Sequence, residues 1–181
     1  MRSMRFDSFD EFNETKETVK DISYDESNDE YMSESELEAY NFDKVKEKFS
    51  NKYDIKPPKS VDGLMLQNEN LIFLEFKNGN IDSNTKKDIC DKIFSSVLVL
   101  LTILDEKVSD LKNKLKFILI YNKDKNGDIN IAKNLSSDAN LPKCKQFDLY
   151  GYNKLYFFQA DIFDKDKFDN FLKTAVDGRI V

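Results

Sequence analysis

Ser60-Val61-Asp62-Gly63-Leu64-Met65-Leu66-Gln67-Asn68-Glu69-Asn70-Leu71-Ile72-Phe73-Leu74-Glu75-Phe76-Lys77-Asn78-Gly79 is the stretch whose reading decides the fold. Two apolar runs, Leu64-Met65-Leu66 and Leu71-Ile72-Phe73-Leu74, flank a short polar break at Asn68-Glu69-Asn70. The runs predict strands, and the break predicts that the second folds back on the first as a hairpin. A strand buried by its neighbours is apolar almost throughout, so Glu75 and Lys77 need a physical reason to be there. Side chains alternate along a strand, so these two share a face, with Cα atoms roughly 6.5 Å apart. The hairpin brings Asp62 to the same end. Two carboxylates and an ammonium converge, a set that can hold a hard divalent cation through oxygen and place an ammonium beside its water.

Upstream, Ser33-Glu34-Ser35-Glu36 fits a capping box and predicts a helix running to about Lys52. Phe42, Val45 and Phe49 form its apolar stripe; Glu38 falls on that face and Glu47 on the other. The Pro57-Pro58 pair makes 55–59 an extended connector. Downstream, Ile89, Ile93, Val97, Leu101 and Leu104 recur at helical spacing, predicting a nearly buried helix from Asn84 to Glu106 that covers the sheet. Leu115–Tyr121 reads as a central strand. The loop Asn122–Ile129 resembles a calcium-binding loop only superficially, because Lys133 stands where a bidentate glutamate must close such a site. A hairpin turn at Asn126-Gly127 is the simpler reading. Two strands at 146–150 and 155–160 and a helix at 164–175 complete the order. The fold class is α/β (α+β), with a mixed central sheet flanked by helices.

Composition narrows the chemistry. The 181 residues suffice for one core, and there is no histidine. That removes histidine-ligated zinc, a histidine-containing triad and a histidine general base. Two cysteines, Cys90 and Cys144, are too few for a disulfide framework and suit a reducing compartment. With no apolar leader at the N-terminus and no apolar run of membrane-spanning length, the chain reads as cytoplasmic, with no membrane partner.

Charge is unevenly spread. Residues 1–40 carry 4 basic and 13 acidic side chains, whereas the other 141 carry 24 and 21. The expected organisation is therefore an acidic, flexible arm over residues 1–32 ahead of a slightly basic domain over 33–181. Phe6, Phe9 and Phe12, spaced by threes, offer that arm an apolar grip on a protein partner or on the domain itself.

Asp62 at the start of one strand, then Glu75-Phe76-Lys77 on the next, resembles the PD-(D/E)XK nuclease superfamily, with its restriction-endonuclease-like fold. Val61 stands where the family name has proline. Acid-x-Lys triplets occur five times in the chain, but only the one at Glu75 lies in an apolar strand with an aspartate on its hairpin partner. The resemblance covers roughly residues 33–125. It implies a metal-dependent nuclease hydrolysing phosphodiester bonds, with Asp62, Glu75 and the Phe76 carbonyl holding Mg²⁺ (or Mn²⁺). Lys77 would activate water, and a first-helix glutamate, here Glu38, would complete the catalytic set. Lys86, Lys87 and Lys92 would track the backbone of a nucleic acid, DNA ahead of RNA, and a homodimer is compatible with this reading. The alternative implied by the acidic arm is a catalytically inactive relative that acts as an interaction or regulatory module.

Overall fold

A computed structural model describes residues 6–67, 70–126 and 159–176. Strands β1 (Lys16–Thr18), β4 (Glu38–Asn41), β5 (Gly63–Gln67), β6 (Asn70–Lys77), β7 (Leu115–Tyr121) and β8 (Gln159–Asp164) form one six-stranded sheet in the order β1-β4-β5-β6-β7-β8. Strands β2 (Tyr24–Asp25) and β3 (Glu30–Tyr31) form a separate small hairpin. The large sheet is antiparallel from β1 to β6 and parallel from β6 through β8. This is the mixed α/β sheet expected from the sequence.

The hairpin of β5 and β6 has Gln67 opposite Asn70 and Leu64 opposite Phe73. Helix α3 (Ser83–Leu104) then makes the crossover that a parallel β6–β7 pair requires. Asp82 caps it by accepting from the Thr85 N–H at 2.8 Å, and Asp105 ends it in the left-handed region, φ 51°. Alternation along β6 separates two cores. Leu71 and Phe73 point to the face covered by α3 and by α2 (Phe42–Tyr53), whose Phe42, Val45 and Phe49 are buried there. Ile72 and Leu74 point to the opposite face, under Phe168 and Leu172 of α5 (Lys165–Val176). Among the described residues α1 (Val19–Ile22) and α4 (Val108–Leu111) are two further short helices.

Three expectations are corrected. The helix does not begin at Ser33; it begins at Phe42, capped by the Asn41 side chain on the Lys44 N–H. Residues 38–41 are instead a strand, with Ala39 and Tyr40 buried on opposite faces of the sheet. Ser33 is buried and its hydroxyl donates to Asp169. Sheet pairing on both sides outweighs a capping signal worth about 1 kcal/mol.

Residues 6–32 are not a flexible arm. They supply β1, α1 and the β2–β3 hairpin. Phe6 and Phe12 are fully buried against Tyr40, with ring centroids 5.6 and 5.1 Å from it. The acidic side chains reach domain lysines: Glu11 to Lys52 at 2.6 Å, Glu17 to Lys44, and Glu30 to Lys165 at 2.9 Å. The third correction is local: 123–126 form a helical turn, with the Asn126 N–H donating to the Asn122 carbonyl at 3.2 Å. The expected partner in a hairpin turn, Gly127, and the strand at 146–150 lie outside the described residues.

Burial of Phe6 and Phe12 gives a direct test. Phe6→Ala and Phe12→Ala should each destabilise the chain by about 3 to 5 kcal/mol in urea denaturation. A separate arm would leave the midpoint unchanged.

Candidate functional site

Asp62 immediately precedes β5, and its backbone is fixed from two sides. Its N–H donates to the Leu74 carbonyl at 3.0 Å, and its carbonyl accepts from the Phe42 N–H at 2.9 Å. The adjacent Val61 N–H donates to the Ser96 hydroxyl of α3 at 2.9 Å. The Asp62 side chain turns toward β6, where Oδ2 accepts from the Phe76 N–H at 2.6 Å. Gly63 follows, where a Cβ would make ordinary van der Waals contact, 3.4 Å from the Ile22 side chain and 3.6 Å from Leu74.

Glu75 lies on the α3 face of β6 with no exposure at all. Its Oε1 accepts from Lys92 of α3 at 2.8 Å and lies 2.9 Å from Lys77 Nζ. Lys92 Nζ also donates to Asp62 Oδ1 at 3.1 Å, so the two carboxylate oxygens stand no more than about 6 Å apart. Lys77 continues to Asp88 of α3 at 3.5 Å, and Asp88 pairs with Lys59 at 2.9 Å. One oxygen is left over. Glu75 Oε2 is the buried side-chain polar atom that has no hydrogen-bond partner in the protein among the described residues.

Burial sets the electrostatics. It pushes the Glu75 carboxyl up, the neighbouring Asp62 adds to this, and the two lysines offset part of it, leaving a value of about 7. Burial also raises Asp62, against the pull of Lys92. For Lys92, burial alone would favour the neutral amine, but Asp62 and Glu75 outweigh it and hold the ammonium above the ordinary lysine range.

Asp62, Glu75 and Lys77 therefore meet as the sequence predicts, at one end of the central strand pair β5–β6. Phe76 contributes its backbone N–H to Asp62 and turns its ring to the other face, against Phe168 at 5.9 Å. Glu38 does not join them. It is exposed on β4 opposite Thr18, at the far end of that strand from Asn41, which faces Gly63. Glu47 is exposed on α2.

Lys92, expected to track a phosphate backbone, is instead the bridge between the carboxylates. Lys87 is exposed and Lys86 part-buried on the first turns of α3. The signal that would have found the bridge is Asp88-Lys92-Ser96, a polar row at four-residue spacing beside the apolar row Ile89-Ile93-Val97. Beyond Asp62 a polar cleft of about 280 Å³ opens between the β2 segment and the ends of β4 and β6, lined by Asp25, Glu26, Asp43 and Asn78 among others. The loop after β6 is pinned by Asn126, which accepts from the Ile81 N–H at 2.8 Å and donates to the Gly79 carbonyl at 3.0 Å.

No family model, no curated protein and no solved structure matches the chain. Among the described residues no helix is long and apolar enough to cross a membrane.

The raised Glu75 carboxyl has a signed consequence. It keeps its proton to about 7 when folded, against the usual 4.5. Between those values the folded state binds more protons, so the contribution of Glu75 to stability declines as pH rises through that window. Glu75→Gln cannot ionise. The stability of the wild type relative to Glu75→Gln should therefore fall from pH 4.5 to about 7 and then level off, read by urea denaturation at each pH. A pH-independent difference would contradict the assignment.

Proposed function

We propose that this chain is a divalent-metal-dependent nuclease that hydrolyses phosphodiester bonds of nucleic acid, DNA ahead of RNA. The observation that carries the reading is the convergence of Asp62, Glu75 and Lys77, with the buried Glu75 Oε2 left without a hydrogen-bond partner among the described residues. The donor set fits a hard cation such as Mg²⁺ or Mn²⁺: two carboxylates from adjacent strands, to which the family resemblance adds the Phe76 carbonyl. When bound, such an ion neutralises phosphate charge and lowers the pKa of a coordinated water.

The protein's own groups supply the rest. The Phe76 N–H holds Asp62 in one orientation, so its other oxygen keeps its direction toward Lys92, which also reaches Glu75. Lys77 is 19% exposed, with its ammonium between Glu75 and Asp88. From there it can orient a water and stabilise negative charge developing on a phosphate. Glu38 has no part in this arrangement.

A second reading, an inactive module of the same fold that works by interaction, is favoured by one observation. The cleft beside Asp62 is lined by Asp25, Glu26 and Asp43, and Glu30 engages Lys165 and stands 3.7 Å from Lys125. A phosphate backbone would meet carboxylates there and would have to compete for both lysines.

Cleavage of single- and double-stranded DNA and of RNA by the full chain decides between them. Activity should require Mg²⁺ or Mn²⁺ and disappear with chelator. Lys77→Ala and Asp62→Asn should each lower it by about a hundredfold or more while thermal unfolding remains cooperative. Cleavage that survives chelation would sink the nuclease mechanism, and its absence on every substrate would favour the interaction reading.

A further inference from the structure

Lys92 is a cation placed where the proposed ion would bind. Its Nζ donates to Asp62 Oδ1 and Glu75 Oε1, one oxygen from each carboxylate of the pair. Most of the surrounding negative charge is also compensated: Asp62, Glu75, Asp88 and Asp91 face Lys59, Lys77 and Lys92. A carboxylate pair without such compensation would attract a dication strongly. Here a dication alone would turn the cluster net positive around the buried Glu75, where Coulomb energies are large.

We infer that Lys92 is the resident counter-cation of the Asp62–Glu75 pair, yielding the carboxylates to a divalent ion only when an anionic phosphate arrives to receive its ammonium. This deepens the metal-dependent reading above and rests on it. The mechanics follow from where Lys92 is mounted. Ile89, Ile93, Ser96 and Val97 bury α3 against the sheet, so the backbone of Lys92 is fixed. Its four-carbon stem is flexible and its ammonium carries three donors that reorient freely. Lys77 can meanwhile keep Glu75 Oε1 and Asp88 as partners. Metal and phosphate are then coupled through one side chain, and the coupling is reciprocal: each strengthens the other's binding by the same factor. An idle site would hold metal weakly, while a substrate-loaded site would hold it firmly.

Calorimetric titration of Mn²⁺ into the full chain tests this, with and without thymidine 3′,5′-bisphosphate, an anionic probe that has no phosphodiester to cleave. Mn²⁺ titrated into the probe alone provides the correction for complexation in solution. For the wild type, the probe should tighten Mn²⁺ binding by about tenfold or more. Lys92→Met should bind Mn²⁺ alone about tenfold more tightly than the wild type, and the probe should then add little. If Lys92→Met does not fold, the wild-type coupling alone decides. Mn²⁺ binding that ignores the probe in the wild type, or that is equal or weaker in a folded Lys92→Met, overturns the role of Lys92 and leaves the metal site standing. Failure of Mn²⁺ to bind under every condition overturns both.

Discussion

A carboxylate with no solvent exposure, Glu75 on central strand β6, is the constraint to which the rest of the site answers. Ionised and alone in such a place it would be prohibitively costly, so the fold must bring cations to it or keep it protonated. It does some of each. Lys77, two residues along the same strand, shares its face, and Lys92 arrives from the crossover helix. The helix can deliver Lys92 because α3 lies directly over the Glu75 face of the sheet, with Ile89 and Ile93 buried beside the polar row. Compensation is incomplete, since Glu75 Oε2 has no hydrogen-bond partner among the described residues. An incompletely satisfied buried carboxylate is expensive as architecture alone, and it is the feature that makes the cluster read as chemistry.

The N-terminal forty residues show charge and packing acting together. Net charge alone predicts a segment held loosely by long-range attraction, screened over roughly 10 Å at 0.1 M salt. Phe6 and Phe12 change that outcome, since burying two aromatic rings against Tyr40 outweighs exposed ion pairs worth under about 1 kcal/mol each. With the rings fixed, β1 can pair along β4, and the acidic side chains fall beside lysines of the domain. The β2 segment then stands at the cleft next to Asp62, so a segment that looked peripheral forms one wall of that cleft.

Much of this was legible because it depends on local pattern. The β5–β6 hairpin, the β7 strand and helix α3 each follow from apolar periodicity that tertiary structure had no reason to override. The placement of Asp62 beside Glu75 follows from hairpin pairing and strand alternation. Elements decided by competition were not legible in the same way. Ser33-Glu34-Ser35-Glu36 satisfies a helix-start pattern, but 38–41 runs between β1 and β5, where pairing to β1 at 38–40 and to β5 at 40–41 makes strand the better state. Glu38 lost its assigned role with that helix, because the phase argument behind it assumed the wrong period.

The sequence by itself determined the mixed α/β class, the hairpin, and a face carrying Asp62, Glu75 and Lys77, because these rest on residue spacing within one supersecondary unit. Only the tertiary structure decided that Lys92 bridges the two carboxylates, that Asp88 joins Lys77 to Lys59, and that Phe6 and Phe12 belong to the core. Each of these joins residues that chain order leaves far apart. Their energies come from burial and from charge compensation in a desolvated space, quantities that do not exist until helix α3 and the N-terminal segment have closed on the sheet.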